Sequence, residues 1–324
     1  MLHTLKNKIF LMMGIAGLIY LAMTLFADYE NVISSFKKFS WYLFPILLVL
    51  SFLNYISRFI KWEYYLRIID VRIPLVDSFS IFMSGLVMSV TPGKMGELLK
   101  AYLVKQITNE PISKTAPIIL VERITDFVSL VLIALLGAYV FEYGQTTVIG
   151  VGLFFVLIII ILSNKSFAIK ILSFFEKISF LKPLTSKFHE MYDSSYKLLK
   201  PKPLVLMTLF SFVAWGFECL GYYIILVNFD IQIPMIFLWA AFSYSFATII
   251  GAITLLPGGL GVTDGSLTYF IVDKKYPMDV AVASTFIIRA VTLWFAVFVG
   301  VVSVLLYQKR FGKITFSLSE NENK

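Results

Sequence analysis

Six long apolar runs dominate the chain: Ile9 to Phe26, Trp41 to Ile60, Ala116 to Val140, Thr147 to Ser163, Pro203 to Phe229 and Asp279 to Tyr307. A helix needs about 20 apolar residues to cross the roughly 30 Å hydrocarbon core of a bilayer. Six such helices in 324 residues carry more apolar face than one small core can cover. The expected fold class is therefore an all-α polytopic membrane protein. Composition agrees, with 59% hydrophobic and 15% charged residues, where soluble domains carry about a quarter charged. A large extramembrane catalytic domain is excluded. One cysteine, Cys219, and two distant histidines, His3 and His189, supply neither a disulfide framework nor a Cys/His metal site, and no cofactor is expected. Ile9 to Phe26 follows Lys6 and Lys8 as a signal peptide would, but no small-x-small cleavage site follows cleanly, so it is read as a retained anchor.

Two further apolar stretches are broken in the middle. Leu75 to Lys105 is interrupted by Thr91-Pro92-Gly93, and Pro234 to Val272 by Leu256-Pro257-Gly258-Gly259. The limbs of the first are about 14 residues each, or about 21 Å, too short to cross. Both stretches are read as re-entrant helical hairpins, 75–105 and 234–272, whose broken backbone is tolerated only against protein or a polar cavity. An ordinary loop between two tilted spans is the alternative.

The layout is checked by the distribution of positive charge. With both termini in the cytoplasm of a cell membrane, 22 of the 28 basic residues fall on the cytoplasmic side, as the positive-inside rule requires. Arg58 and Lys61 are counted among them as interface anchors; Lys94 and Lys100 are read with Glu97 as a gate or head-group contact, with Lys100 and Lys105 equally open to a reading as snorkelling flanks. The net charge of +8 is thereby topology, and no nucleic-acid partner is implied. Between spans lies 164–202, where Phe167, Ile171, Phe174, Phe175 and Ile178 recur at near-helical spacing against Lys170 and Lys177. That pattern suits an amphipathic cytoplasmic connector on anionic lipid, with a plain solvated connector as the alternative.

An internal repeat organises the chain. Pro92-Gly93-Lys94-Met95-Gly96 matches Pro257-Gly258-Gly259-Leu260-Gly261, and an acid follows each, Glu97 or Asp264. Pro111 comes 19 residues after Pro92 and Pro277 comes 20 after Pro257, with Arg123 and Arg289 each 12 residues further on. Repeat one covers about 9–140 and repeat two about 147–307, each read as span, span, hairpin, span. Three crossings per repeat make the second copy inverted, which is an arrangement found in alternating-access transporters.

Ionisable residues inside spans are costly and point to function. Arg123 and Arg289 are expected near mid-bilayer, brought together by the repeat, and a guanidinium fork suits phosphate. Arg123 and Asp126 stand at i,i+3 and can pair. The tips are formed by Pro92, Gly93, Gly96, Pro257, Gly258, Gly259 and Gly261, and Lys94 with the backbone N–H groups that follow the prolines adds places for an anion at helix starts. Glu97, Glu122, Asp126 and Asp264 are expected to balance charge or gate, and Glu218 to hold a proton, a cation or an amine. Trp41, Trp215, Trp239 and Trp294 are read as packing or belt residues.

The ordered set Thr91 to Lys100, Glu122-Arg123-x-x-Asp126 and Leu256 to Asp264, with Arg58-x-x-Lys61-Trp62 before it, resembles the lysylphosphatidylglycerol synthase transmembrane region, a flippase-like family. In its multiple peptide resistance factors the membrane domain moves a lipid with a modified head group, and a separate soluble domain transfers the aminoacyl group. The resemblance covers essentially the whole chain and implies lipid translocation. About 15 residues follow the last span, so no aminoacyltransferase domain is expected, and Asp264 stands where relatives often have Glu. The expected activity is translocation of an anionic lipid: an aminoacyl-phospholipid, a polyprenyl phosphate or a lipid-linked sugar. Membrane lipids are the expected partners. The alternatives are a secondary transporter of a small soluble anion and an intramembrane transferase using Glu122 or Asp126 as base.

Overall fold

The computed structural model describes residues 2–91, 97–165 and 185–312, with side chains described from residue 14 and, in the last stretch, from residue 187. Pro92, Gly93, Lys94 and Gly96, and the 167–178 part of the connector, lie outside the described residues. What is described is helical, with no strand among the described residues.

Thirteen labels serve below. Repeat one contains α1 (Leu2–Phe26), α2 (Tyr29–Lys38), α3 (Phe44–Ile68), α4 (Leu75–Gly85) continued by a 3-10 turn (Leu86–Val90), α5 (Leu98–Thr108) and α6 (Ile112–Val140). Then come α7 (Gln145–Ser163), α8 (Thr185–Leu198), α9 (Pro201–Asn228), α10 (Ile236–Ile253), α11 (Val262–Asp273), α12 (Met278–Arg289) and α13 (Phe295–Phe311). A π-helical turn, Ala290–Trp294, joins the last two. Among the described residues five helices are long and apolar enough to cross a membrane by length and composition: Trp41–Ile68, Gln145–Ser163, Pro201–Asn228, Ile236–Ile253 and Met278–Phe311. Helix α6, at 29 residues, is long enough too and carries the charge cluster.

Punctuation follows local chemistry. Proline stands at the start of α3, α6, α9 and α12, where its missing N–H costs nothing. Two turns recur that the sequence pattern did not flag. Asp70 (φ 57°) and Asp230 (φ 56°) end α3 and α9 in the left-handed region, each four residues before a proline, Pro74 or Pro234. Both close a six-residue turn behind them, Val71 N–H to the Leu66 carbonyl at 2.9 Å and Ile231 N–H to that of Leu226 at 3.1 Å.

The limbs are unequal, where limbs of about 14 residues each are expected of the first hairpin. The limb Ile236–Ile253 has 18 residues, about 27 Å, and meets the length of a span, while the returning α11 has 12 residues, about 18 Å. In the first hairpin the returning α5 has 11 residues, about 16 Å. The returning limbs are short because left-handed residues, Asn109 and Lys275, stop them two residues before Pro111 and Pro277.

Packing is reciprocal between repeats. The α10 limb lies on α6, and the α4 limb with its 3-10 turn lies on α13, while α3 and α9 pack on each other. Close approach is made possible by Gly300, where a Cβ would stand 2.1 Å from the backbone nitrogen of Val87, and by Gly137 against Phe242. The outer surface is apolar. Along α7 burial is confined to Val148, and Leu153, Phe154, Leu157 and Ile160 are all more than half exposed, a face suited to lipid.

Candidate functional site

Equivalent positions of the two repeats meet at the centre of the molecule. Asn54 of α3 donates from Nδ2 to the carbonyl of Ala214 of α9 at 2.8 Å. These residues are 160 apart, the same offset that relates Asp70 to Asp230. The same offset pairs Tyr55 with Trp215 and Arg58 with Glu218, and all four line a cavity of about 630 Å³.

One wall of that cavity is a charge cluster. Helix α6 presents Arg123 and Asp126 one turn apart, with Arg123 Nη2 3.4 Å from Asp126 Oδ2. Helix α3 brings Arg58 Nη2 to 3.6 Å from the same oxygen and Lys61 Nζ to 2.7 Å from Oδ1. Ser211 of α9 donates to Asp126 Oδ1 at 2.8 Å and also contacts Lys61 Nζ. At the start of α5, Glu97 forms an ion pair with Arg123 Nη2 at 3.3 Å, and Lys100 Nζ lies 2.6 Å from Glu122 and 3.7 Å from Glu97. Lys100 also sits over the Trp62 and Phe82 rings, 5.0 and 5.1 Å from their centroids. Among the described residues the cluster has four cations and three carboxylates, an excess of one positive charge.

Arg58 and Lys61 therefore correct the expectation that they are interface anchors, and Lys100 the alternative that it is a snorkelling flank. Lys61 is 0% and Lys100 2% exposed, and each is neutralised by a buried acid rather than by water. Helix α3 continues to Ile68, eight residues past the Ile60 limit that hydropathy sets, and Lys61, which lowers hydropathy there, is paired inside the protein with Asp126. A signal was available: Arg58/Lys61, Glu97/Lys100 and Arg123/Asp126 are all i,i+3 charged pairs flanked by apolar residues.

The second tip is held by its own acid. Gly258, Gly259 and Gly261 have φ values of 60°, 66° and 81°, a region that only glycine enters freely. Asp264 accepts from the Gly261 N–H at 2.7 Å through Oδ2, and its Oδ1 forms an ion pair with Arg289 Nε at 2.8 Å. Arg289 Nη2 donates to the Gly258 carbonyl at 2.5 Å. The Gly261 N–H, expected to serve an anionic ligand, thus has an internal partner. Each repeat contains the same couple, an acid after the tip bonded to the arginine twelve residues after the proline.

The two arginines differ in what faces them. Both line the cavity, and the Nε groups of Arg58, Arg123 and Arg289 are all buried without a hydrogen-bond partner; what sets Arg289 apart is its ion pair with Asp264 at 2.8 Å and its hydrogen bond to the Gly258 carbonyl. Glu218 accepts from the Tyr244 hydroxyl at 2.6 Å. Away from this polar end the wall is apolar, with Phe127 and Phe155 stacked at 4.5 Å. It ends at Phe154, Ile253, Leu255 and Leu256, which are 44–63% exposed. The cavity thus reaches the lipid-facing surface between α7 and the end of α10.

The family model described as the lysylphosphatidylglycerol synthase transmembrane region matches residues 11–300. The chain belongs to that family. A UPF0104 membrane protein of Methanocaldococcus jannaschii is 25% identical over 226 residues, covering 68% of this chain and 94% of the relative. One from Methanothermobacter thermautotrophicus is 23% identical, covering 92% and 95%. Another from Pyrococcus horikoshii is 23% identical, covering 77% and 82%. The family match takes in both acid–arginine couples and the whole cavity lining, so the site belongs to the multi-pass membrane region that defines the family.

Proposed function

We propose that this protein moves a lipid with an anionic, phosphate-bearing head group between the leaflets of the cell membrane, with both termini in the cytoplasm. The observation that carries this reading is the shape of the cavity's chemistry: the guanidiniums of Arg58 and Arg123 line one end, and an apolar wall open to the side lines the other. Arg58 and Arg123 would take the phosphate oxygens through charge-assisted bonds, while the tails stay in lipid past Phe154 and Leu255. An excess of one positive charge in the cluster matches a phosphodiester. Burying so many ions is costly, and such clusters are retained in membranes chiefly where they serve a ligand or a pathway.

The transporter reading is preferred to an enzyme because Glu122 and Asp126, the acids a transferase would use as base, are tied to Lys100 and to Lys61, Arg58 and Arg123 respectively. A soluble-anion transporter would use the same arginines, but an apolar side opening serves no soluble solute. The test is proteoliposome translocation of a fluorescent phospholipid, read by quenching of the outer leaflet, beside uptake of labelled inorganic phosphate. Lipid movement above empty vesicles that falls at least tenfold in Arg123→Ala supports the proposal. Arg123-dependent phosphate uptake without lipid movement would replace it with the soluble-anion reading.

A further inference from the structure

The side opening of the cavity lies between α7 and the end of α10, and the repeat gives that place a counterpart. Leu255 stands two residues before Pro257, and Val90 stands two before Pro92. Phe127 comes 16 residues after Pro111, and Leu293 comes 16 after Pro277. Phe127 and Leu293 both line the cavity. At the opening, Phe127 stacks on Phe155 of α7 and Leu255 is 63% exposed. At the equivalent place in repeat one, Val90 is 1% exposed, in an apolar cluster with Leu260, Leu293 and Val297 that α1 covers through Ala16, Ile19 and Tyr20. The first helix of each repeat thus occupies the same place, α7 beside an open side and α1 across a closed one.

Helix α1 is held there lightly. Among its described side chains Ala16 alone is buried, as Val148 is along α7. Its Tyr20 hydroxyl accepts from the Trp294 indole N–H at 3.1 Å, and the Tyr20 ring lies 4.7 Å from that of Phe286. Trp294 ends the π-helical turn that begins right after Arg289, and such turns recur at functional sites. Leu293 belongs to the cluster under α1 and also lines the cavity, so the layer between α1 and the cavity is one side chain thick there. A helix that buries so little separates at lower cost than the closely packed helices of the core.

We propose that α1 is the lid of a second side exit from the cavity, the repeat-one counterpart of the opening beside α7, latched by the hydrogen bond between Tyr20 and Trp294. With the second repeat inverted, the two exits lead toward opposite leaflets, and the structure holds one open and the other shut. That a lipid passes through rests on the translocation reading above; the opening of α1 does not. A passage walled by Val90, Leu260, Leu293 and Val297 suits acyl chains.

The lid is tested on the full-length protein in nanodiscs, by the rate at which a lipid-soluble maleimide modifies Val90→Cys in a Cys219→Ala background, relative to Leu255→Cys in the same background. Val90→Cys is expected to react more slowly than Leu255→Cys. Tyr20→Phe, which removes only the hydroxyl, should speed it about fivefold, the effect of one hydrogen bond. The native Cys219, buried in a different core cluster, should react no faster in Tyr20→Phe, which separates lid opening from general loosening. A Val90→Cys that stays unmodified while Leu255→Cys reacts, a rate that Tyr20→Phe leaves unchanged, or an equal rise at Cys219 would overturn the lid. In a second arm, Tyr20→Cys with Trp294→Cys, again with Cys219→Ala, is bridged by a reducible bifunctional thiol reagent and assayed for translocation of a fluorescent phospholipid. Bridging should stop translocation and reduction should restore it, whereas translocation at the unbridged rate would overturn the exit under α1. No lipid movement by the wild type, together with faster Val90→Cys modification in Tyr20→Phe, would remove the translocation reading and leave the lid standing.

Discussion

Asn54 donates to the carbonyl of Ala214 at 2.8 Å, and the two residues hold equivalent places in the two halves of the chain. This bond joins α3 to α9 at positions with the same offset that relates Asp70 to Asp230. Tyr55 and Trp215, then Arg58 and Glu218, follow one residue and one turn further along their helices and open onto the cavity. The binding chemistry is therefore built on the contact between the repeats, where a small change in their relative orientation alters it most.

That bond can be removed alone. Asn54 is 1% exposed, and Asn54→Leu should lower stability by about 1–2 kcal/mol, since a buried donor is lost and the Ala214 carbonyl loses its side-chain partner. The midpoint of thermal unfolding in detergent reads this. An unchanged midpoint would mean that the contact between halves contributes nothing.

Lys61 is one of three cations on the buried Asp126, so the acid is the costlier member to remove. Lys61→Met, which leaves Arg58 and Arg123 on Asp126, should destabilise less than Asp126→Asn, which should cost about 3–5 kcal/mol, and the double variant should lose less than the sum of the two. A double-mutant cycle on thermal unfolding checks the sign. Simple additivity would show that the two residues act independently.

How much of this was legible in the residues can be argued from particular positions. The Pro-Gly tips, the acid after each tip and the two arginines were readable because they recur in order at nearly fixed spacing, and the structure joins Asp264 to Arg289 and Glu97 to Arg123. Arg58 and Lys61 were misplaced because a hydropathy scan cannot tell a charge facing water from one facing a buried carboxylate. The paired turns at Asp70 and Asp230 escaped notice since aspartate in a left-handed turn leaves no hydropathy signal.

Gly300 tests the packing of the hairpin on the last helix. Its missing Cβ would stand 2.1 Å from Val87 N and 2.6 Å from Val87 Cα, whereas nothing lies within 4 Å at Gly216. Backbone cannot step aside as a side chain can. Gly300→Ala should therefore abolish or sharply reduce the yield of monodisperse protein, and Gly216→Ala should leave it within error. Size-exclusion profiles of the two variants decide; matching profiles would mean the helices pack less closely there.

The two equivalent arginines should fail in different ways. Arg289 holds the second tip through Asp264 and the Gly258 carbonyl, so Arg289→Ala should cost about 3–5 kcal/mol by leaving a buried acid alone. Arg123 shares Asp126 with Arg58 and Lys61, which remain after its loss, so Arg123→Ala should cost less stability and more lipid binding. Thermal unfolding and lipid occupancy measured on the same samples separate these effects. Equal stability losses would show that the latch at the second tip carries no special weight.

The central claim is that the cavity binds a lipid phosphate through Arg58 and Arg123. Its most direct test is identification of the lipids that co-purify from native membrane with the wild-type protein, Arg58→Ala, Arg123→Ala and, as a folded control, Gly216→Ala. The prediction is that one phosphate-bearing lipid is enriched above its membrane abundance in wild type and the control and is lost from both arginine variants. The same bulk lipids on all four proteins would contradict it.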